Sequence, residues 1–188
     1  MCIRDSLPTS EPDLEQGFGT ASARFGELRL DYVMTRSEVY CAGSRHPRVR
    51  FAPLEKDCQR RDFTINALYL EIMEGGVIDP CGRGLDDLRQ KILRCVQDPQ
   101  KSMLEDPLRI LRALRFAVVL DLEIEAETLS AIEANAPLCA TLSRRRCRDE
   151  LQKLRSSASQ AAYARWLSML EDTGVLPYLS LRVELPRG

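Results

Sequence analysis

The stretch that most constrains this chain runs from Glu105 to Phe116, EDPLRILRALRF. Arginines recur every third residue at Arg109, Arg112 and Arg115, an arc of about 120° on a helix. Ile110, Leu111, Leu114, Ala117 and Val118 fall on the opposite arc. The pattern predicts a helix over 105–120 with an apolar face for a core and a guanidinium face for something else. Solvated helix faces usually mix Lys with Glu. Three arginines with no carboxylate between them suit a polyanion, such as a triphosphate or an RNA backbone. The plainer alternative makes Asp106 an N-cap, Pro107 the first helical residue and the arginines ordinary surface. Spacing alone leaves the two in balance.

The chain around this helix divides near Asp98-Pro99, where strand signals give way to helix signals. Residues 1–18 read as a disordered or atypical N-terminal segment, with a polar loop over 7–18. A hairpin follows, with strands over Ala21 to Phe25 and Leu28 to Met34 and a turn at Gly26-Glu27. Asp31 stands in mid-strand, where a carboxylate is unfavourable by propensity, so it lies either on a solvated face or in a site. Residues 37–56 read as a loop in which Arg45, His46, Arg48 and Arg50 meet phosphates or water. His46 has no identifiable partner for catalysis. DCQRRDFTINALYL, 57–70, has helical spacing through Phe63, Ala67 and Leu70, with Asp62 and Asn66 on one face. Strands are expected over 68–72, 77–78 and 92–96, with a short helix over 85–90. Further helices are expected over 126–136, 143–156 and 158–172. Ser143 is a predicted N-cap. Arg144, Arg145, Arg146 and Arg148 cluster behind it, partly neutralised by Asp149 and Glu150, as a solvated face or an RNA-facing one. Trp166, Leu167 and Leu170 read as core.

Composition sets the limits. The 188 residues are 44% apolar and 29% charged, with a net charge of −1, so any nucleic-acid surface is a local patch. Seven cysteines include no C-x-x-C pair, and with one histidine a Cys/His zinc site has no support. The thiols read as reduced core fillers in a cytoplasmic protein. No apolar run reaches the length of a membrane span.

RRDFTINAL at 60–68 and EDPLRILRALRF at 105–116 together resemble the paired signatures of class II tRNA nucleotidyltransferases. These are the CCA-adding enzymes and their relatives, the bacterial poly(A) polymerases. Gly19-Thr20, LDYVMTR at 30–36, IDPCGRGLDDL at 78–88 and SRRRCRDELQKL at 143–154 agree in order. The resemblance covers about residues 17–172. It implies an α+β chain: part of a polymerase-β-like head sheet over 19–98, an all-α neck over 99–175 and a tail over 176–188. It implies addition of CMP and AMP from CTP and ATP to tRNA 3′ ends. The same motifs fit a poly(A) polymerase, and a non-catalytic nucleotide- or RNA-binding module is a third alternative.

The resemblance also assigns residues. Asp106 and Arg109 match the pair that reads the base edge: a carboxylate accepts from an exocyclic amino group, and a guanidinium donates to a ring acceptor. Arg61, Arg112 and Arg115 match nucleotide contacts, which the resemblance implies are to the triphosphate. Asp62 and Asn66 would orient Arg61 or the ribose. Arg36 opens a flexible loop formed by 37–50, and Asp31 is an accessory catalytic carboxylate. Arg144, Arg145 and Arg148 are expected to face RNA. Family members hold two Mg²⁺ ions on an Asp-x-Asp pair upstream of the strand carrying Asp31. Residues 1–30 contain no such pair, and Glu11-Pro12-Asp13 has no glycine-rich lead. The resemblance therefore implies a piece without its metal ligands or its following tRNA-gripping body, inactive alone.

Overall fold

The computed structural model describes residues 13–15, 20–25, 28–33, 35–39, 48–71, 73 and 75–179. They fall into two compact units, Met1–Arg60 and Arg61–Gly188. The expectations for Arg45 and His46 lie outside the described residues, as do those for the chain's two ends.

In the first unit β1 (Asp13–Glu15), β2 (Thr20–Phe25) and β3 (Leu28–Val33) form an antiparallel sheet in that order. The β2–β3 hairpin is the one expected, with Phe25 opposite Leu28 and Ser22 opposite Asp31. Strand β1 corrects the loop expected over 7–18. Its three residues pair with Thr20 to Ser22 and give the outer side of β2 backbone partners. A second correction concerns 37–56. Strands β4 (Arg36–Val39) and β5 (Arg48–Phe51) pair antiparallel, and α1 (Leu54–Gln59) follows. The rest of the loop that Arg36 was expected to open, residues 40–47, lies outside the described residues. Asp57, almost fully buried, ties these parts together. It accepts from the Arg36 backbone N–H at 3.1 Å and from Arg60 Nε and Nη2 at 2.8 and 2.6 Å. Arg60 Nε also reaches the Arg36 carbonyl at 3.2 Å.

The second unit begins with a correction. No helix runs through 57–70. Phe63 is extended, with φ −126° and ψ 151°, and bridges to Cys95; a 3-10 turn follows at Thr64–Asn66. Phe63 and Ala67 are buried because this turn lies on the core, whereas Leu70 is 66% exposed. Strands β6 (Tyr69–Leu70) and β7 (Val77–Ile78) form a small hairpin closed through Gly75, whose φ of +76° favours glycine. The Asp79 carboxylate accepts from the Gly82 and Leu85 N–H groups and so caps α2 (Gly84–Gln90).

Strand β8 (Ile92–Leu93) pairs in parallel with β9 (Glu123–Ile124), which periodicity did not foresee. A parallel pair needs a long crossover, and two helices supply it, α3 (Pro99–Glu105) and α4 (Leu108–Val119). The expected helices follow as α5 (Ala126–Asn135), α6 (Arg144–Ser157) and α7 (Gln160–Asp172). Ser143 caps α6 as predicted. Helix α4 is central: Ile110, Leu111, Ala113, Leu114 and Ala117 are buried and share a core with Leu154 of α6 and Trp166 and Leu170 of α7. Among the described cysteines, Cys58, Cys95, Cys139 and Cys147 are buried free thiols, as fillers should be. Burial, with Cys147 beside it, pushes the Cys139 thiol up to about 12. No described helix is long and apolar enough to cross a membrane.

One contact fixes the 3-10 turn in place. A Cβ on Gly84 would lie 2.6 Å from the Thr64 carbonyl oxygen and 2.8 Å from Leu68 Cδ2. The same approach lets Thr64 Oγ1 donate to Asp87 Oδ2 at 2.7 Å. Gly84→Ala is therefore expected to cost about 1–3 kcal/mol by overpacking against backbone that cannot rotate away. Urea unfolding checks this, and an unchanged midpoint would show that α2 can shift freely.

Candidate functional site

The arginines of α4 do not form an open cationic face, because carboxylates from distant parts of the chain meet them. Arg112 reaches Asp62, with Nε at 2.7 Å and Nη2 at 2.6 Å from Oδ2. Asp62 is 8% exposed, and its Oδ1 accepts from the Phe63 N–H at 2.9 Å and from Asn66 Nδ2 at 3.1 Å. Asp62 and Asn66 thus meet as expected, through a tight turn rather than along a helix. The Asp62 carboxylate pairs with Arg112, whereas Asn66 meets Arg61 through its backbone carbonyl. Arg61 is held by Tyr69: Nε donates to the phenol oxygen at 3.0 Å, and the guanidinium carbon sits 4.8 Å from the ring centroid. Its Nη1 also donates to the Asn66 carbonyl at 3.2 Å.

Arg115 turns inward. It is 9% exposed, and its Nε donates to Glu150 Oε2 at 2.8 Å. Glu150, itself 4% exposed, also accepts from Lys153 Nζ at 2.7 Å and lies 3.9 Å from Arg112 Nη1. Burial pushes the Glu150 carboxyl up, but the bonds and charges of Lys153 and Arg115 outweigh it and hold the group below the usual glutamate range. The Phe116 ring lies under both arginines, 4.1 Å from Arg115 and 5.3 Å from Arg112, and meets Phe63 edge-on at 6.0 Å. Glu150 was expected, with Asp149, to neutralise part of the α6 arginine cluster; its hydrogen bonds run to Arg115 and Lys153. It neutralises the buried side of α4.

At the front of α4, the N-cap position falls on Pro107, and Asp106 just before it accepts from the Leu108 N–H through Oδ1 at 3.1 Å. It also binds Arg146, whose Nη2 lies 3.0 and 2.9 Å from the two carboxylate oxygens. Arg109 is steadied from α3: Nη1 donates to Ser102 Oγ at 2.8 Å and lies 3.6 Å from Glu105. Arg144, Arg145 and Arg148 are exposed on α6 and form no ion pair among the described residues. Arg36 belongs to the first unit, and Asp31 is placed by its backbone only. Among the described residues no group of three or more His, Cys, Asp or Glu could hold a metal ion.

Sequence reasoning missed Ser102, Tyr69 and the role of Glu150. The signal for Glu150 was present: it stands four residues after Arg146, so both face α4 on one side of α6.

Comparison with known proteins gives this geometry a context. The family described as "Poly A polymerase head domain" matches residues 2–94. The one described as "Probable RNA and SrmB-binding site of polymerase A" matches residues 121–183. A Streptococcus pyogenes CCA-adding enzyme is 41% identical over 147 residues, covering 78% of this chain and 36% of the relative. The crystal structure of the Bacillus stearothermophilus CCA-adding enzyme in complex with CTP superimposes with a TM-score of 0.77. It is 32% identical, over 90% of this chain and 40% of that one. A tRNA nucleotidyltransferase complexed with a primer tRNA and an incoming ATP analog gives a TM-score of 0.75 at 31% identity, over 93% and 48%. The chain spans about a third of the length of the curated relative, and by motif, sequence and fold it belongs to the class II CCA-adding enzyme and poly(A) polymerase family of nucleotidyltransferases.

Proposed function

We propose that this chain carries nucleotide selection in an enzyme that adds CMP and AMP, from CTP and ATP, to tRNA 3′ ends. The observation that supports it best is the Asp62–Arg112 ion pair, which joins the RRDFTINA turn to the arginine helix at 2.6 Å. In this proposal Asp106 accepts from the amino group of cytosine or adenine, and Arg109, steadied by Ser102, donates to the adjoining ring acceptor. Arg61 and Arg112 meet the triphosphate. Arg115, the third predicted contact, supports them from behind through Glu150. Asp62 and Asn66 set the position of Arg112 and the turn. Arg36 and Asp31 keep their proposed places at the loop and beside the catalytic carboxylates. Arg144, Arg145 and Arg148 offer unpaired cations to the tRNA backbone. Residues 19–98 and 99–175 act as head and neck. The reaction implied by family membership uses Mg²⁺, but no described side chain is assigned to it, because the described carboxylates do not gather into a ligand set. Cytoplasmic residence is proposed from the buried free thiols.

Equilibrium binding of the four ribonucleoside triphosphates to this chain tests the selection step. CTP and ATP are expected to bind about tenfold or more tighter than UTP and GTP, whose keto oxygens face a carboxylate that cannot donate. Asp106→Asn, with a donor and an acceptor, should erase the difference. Equal affinities in the unsubstituted chain would refute the proposal.

A further inference from the structure

We propose that Arg146 is a specificity-determining positioning residue, which fixes the Asp106 carboxylate so that a single acceptor direction faces the base. This rests on the nucleotide reading above. It comes from counting acceptor positions on one side chain. An ionised carboxylate offers about four lone-pair directions. Asp106 Oδ1 takes the Leu108 N–H at 3.1 Å and Arg146 at 3.0 Å, and Oδ2 takes Arg146 at 2.9 Å. One direction on Oδ2 remains. A cytosine or adenine amino group supplies the single donor that fills it, and a keto oxygen supplies none.

The arrangement also holds the carboxylate in one rotation. The Leu108 N–H belongs to the first turn of α4, and Arg146 belongs to the first turn of α6, so two helices grip Asp106 from different directions. Without Arg146 the carboxylate is held on one oxygen only, and its rotation lets water or a second contact fill the free directions. Discrimination then falls because a keto base no longer confronts one rigid acceptor. Arg146 differs from its neighbours on α6 in this respect. Arg144, Arg145 and Arg148 bind no described carboxylate, whereas Arg146 points back to α4. The Arg146–Asp106 pair is half-exposed, so its removal should leave the fold intact.

The test measures CTP, ATP, UTP and inorganic tripolyphosphate binding to the unsubstituted chain, Arg146→Gln, Arg146→Lys and Asp106→Asn, with a thermal melt of each. The expected result for Arg146→Gln is a CTP-to-UTP preference reduced about tenfold, the size of one lost charge-assisted hydrogen bond, with tripolyphosphate affinity and melting unchanged. Arg146→Lys should restore part of the preference. A CTP-to-UTP ratio that survives Arg146→Gln but collapses in Asp106→Asn overturns the positioning role and leaves the nucleotide reading standing. Tripolyphosphate binding lost with the ratio unchanged also overturns it, since Arg146 would then be a plain phosphate contact. No preference in the unsubstituted chain, or a preference that survives Asp106→Asn, refutes the nucleotide reading and this proposal with it.

Discussion

Replacing Glu150 with Ala is expected to destabilise the second unit by about 3–5 kcal/mol, the range for stranding one member of a buried ion pair. Glu150 is 4% exposed and is the only described carboxylate bonded to Arg115, which is 9% exposed. Without it the guanidinium keeps the Phe116 ring at 4.1 Å, a contact worth about 0.5–2 kcal/mol and too weak to replace a carboxylate. In a chain of this length the loss should lower the melting temperature by roughly 6–20 °C. The double replacement Arg115→Met with Glu150→Leu should be much less damaging than Glu150→Ala, because no charge is left unpaired. A second signature comes from pH. The folded carboxyl titrates below its usual range, so its stabilisation is fully present above the ordinary glutamate value of about 4.3. It is lost as pH falls through the depressed folded value. Stability measured by urea from neutral pH downwards should therefore drop more in the unsubstituted chain than in Glu150→Gln. Parallel curves would show that the pair contributes nothing.

Glu150 also shows where the sequence stops being informative. The apolar arc of α4 was legible because it is local: Ile110, Leu111, Leu114 and Ala117 repeat at helical spacing, and all are buried. The other arc was legible only as a row of arginines. What neutralises it arrives from Asp62, 50 residues before Arg112, and from Glu150, 35 residues after Arg115. No local periodicity encodes such pairings. The RRDFTINA stretch misled for a related reason. Phe63 and Ala67 are four apart and both buried, which imitates a helix, but Asp62 caps the Phe63 N–H and the backbone at Phe63 is extended. Helix α3 was within reach, since Asp98 followed by Pro99 is an N-cap with proline at the first helical position, and Asp98 does accept from the Lys101 N–H. Strand β9 was not, because two residues in a parallel pair carry no alternation to detect.

The second large effect is expected at Asp62. Asp62→Ala removes the bridge between the turn at Thr64–Asn66 and α4, two elements that otherwise meet through the edge-on contact of Phe63 with Phe116. Four hydrogen bonds end on this one carboxylate, two from Arg112, one from the Phe63 N–H and one from Asn66. The loss should be about 3 kcal/mol, toward the lower end for a buried pair because Arg112 is partly open to solvent. A double-mutant cycle with Arg112→Ala isolates the bridge, with an expected coupling of about 1–3 kcal/mol. The nucleotide consequence is separable. With Arg112 released, tripolyphosphate binding should weaken in Asp62→Ala at temperatures where the variant is still folded, since a mobile guanidinium must be ordered again on binding. Selection between CTP and UTP should persist, because Asp106 and Arg109 take their positions from Leu108, Arg146 and Ser102 and not from Asp62. Coupling near zero would mean that the two motifs merely touch. Selection lost together with phosphate binding would mean that base and triphosphate are read by one indivisible unit rather than by two ends of the same helix.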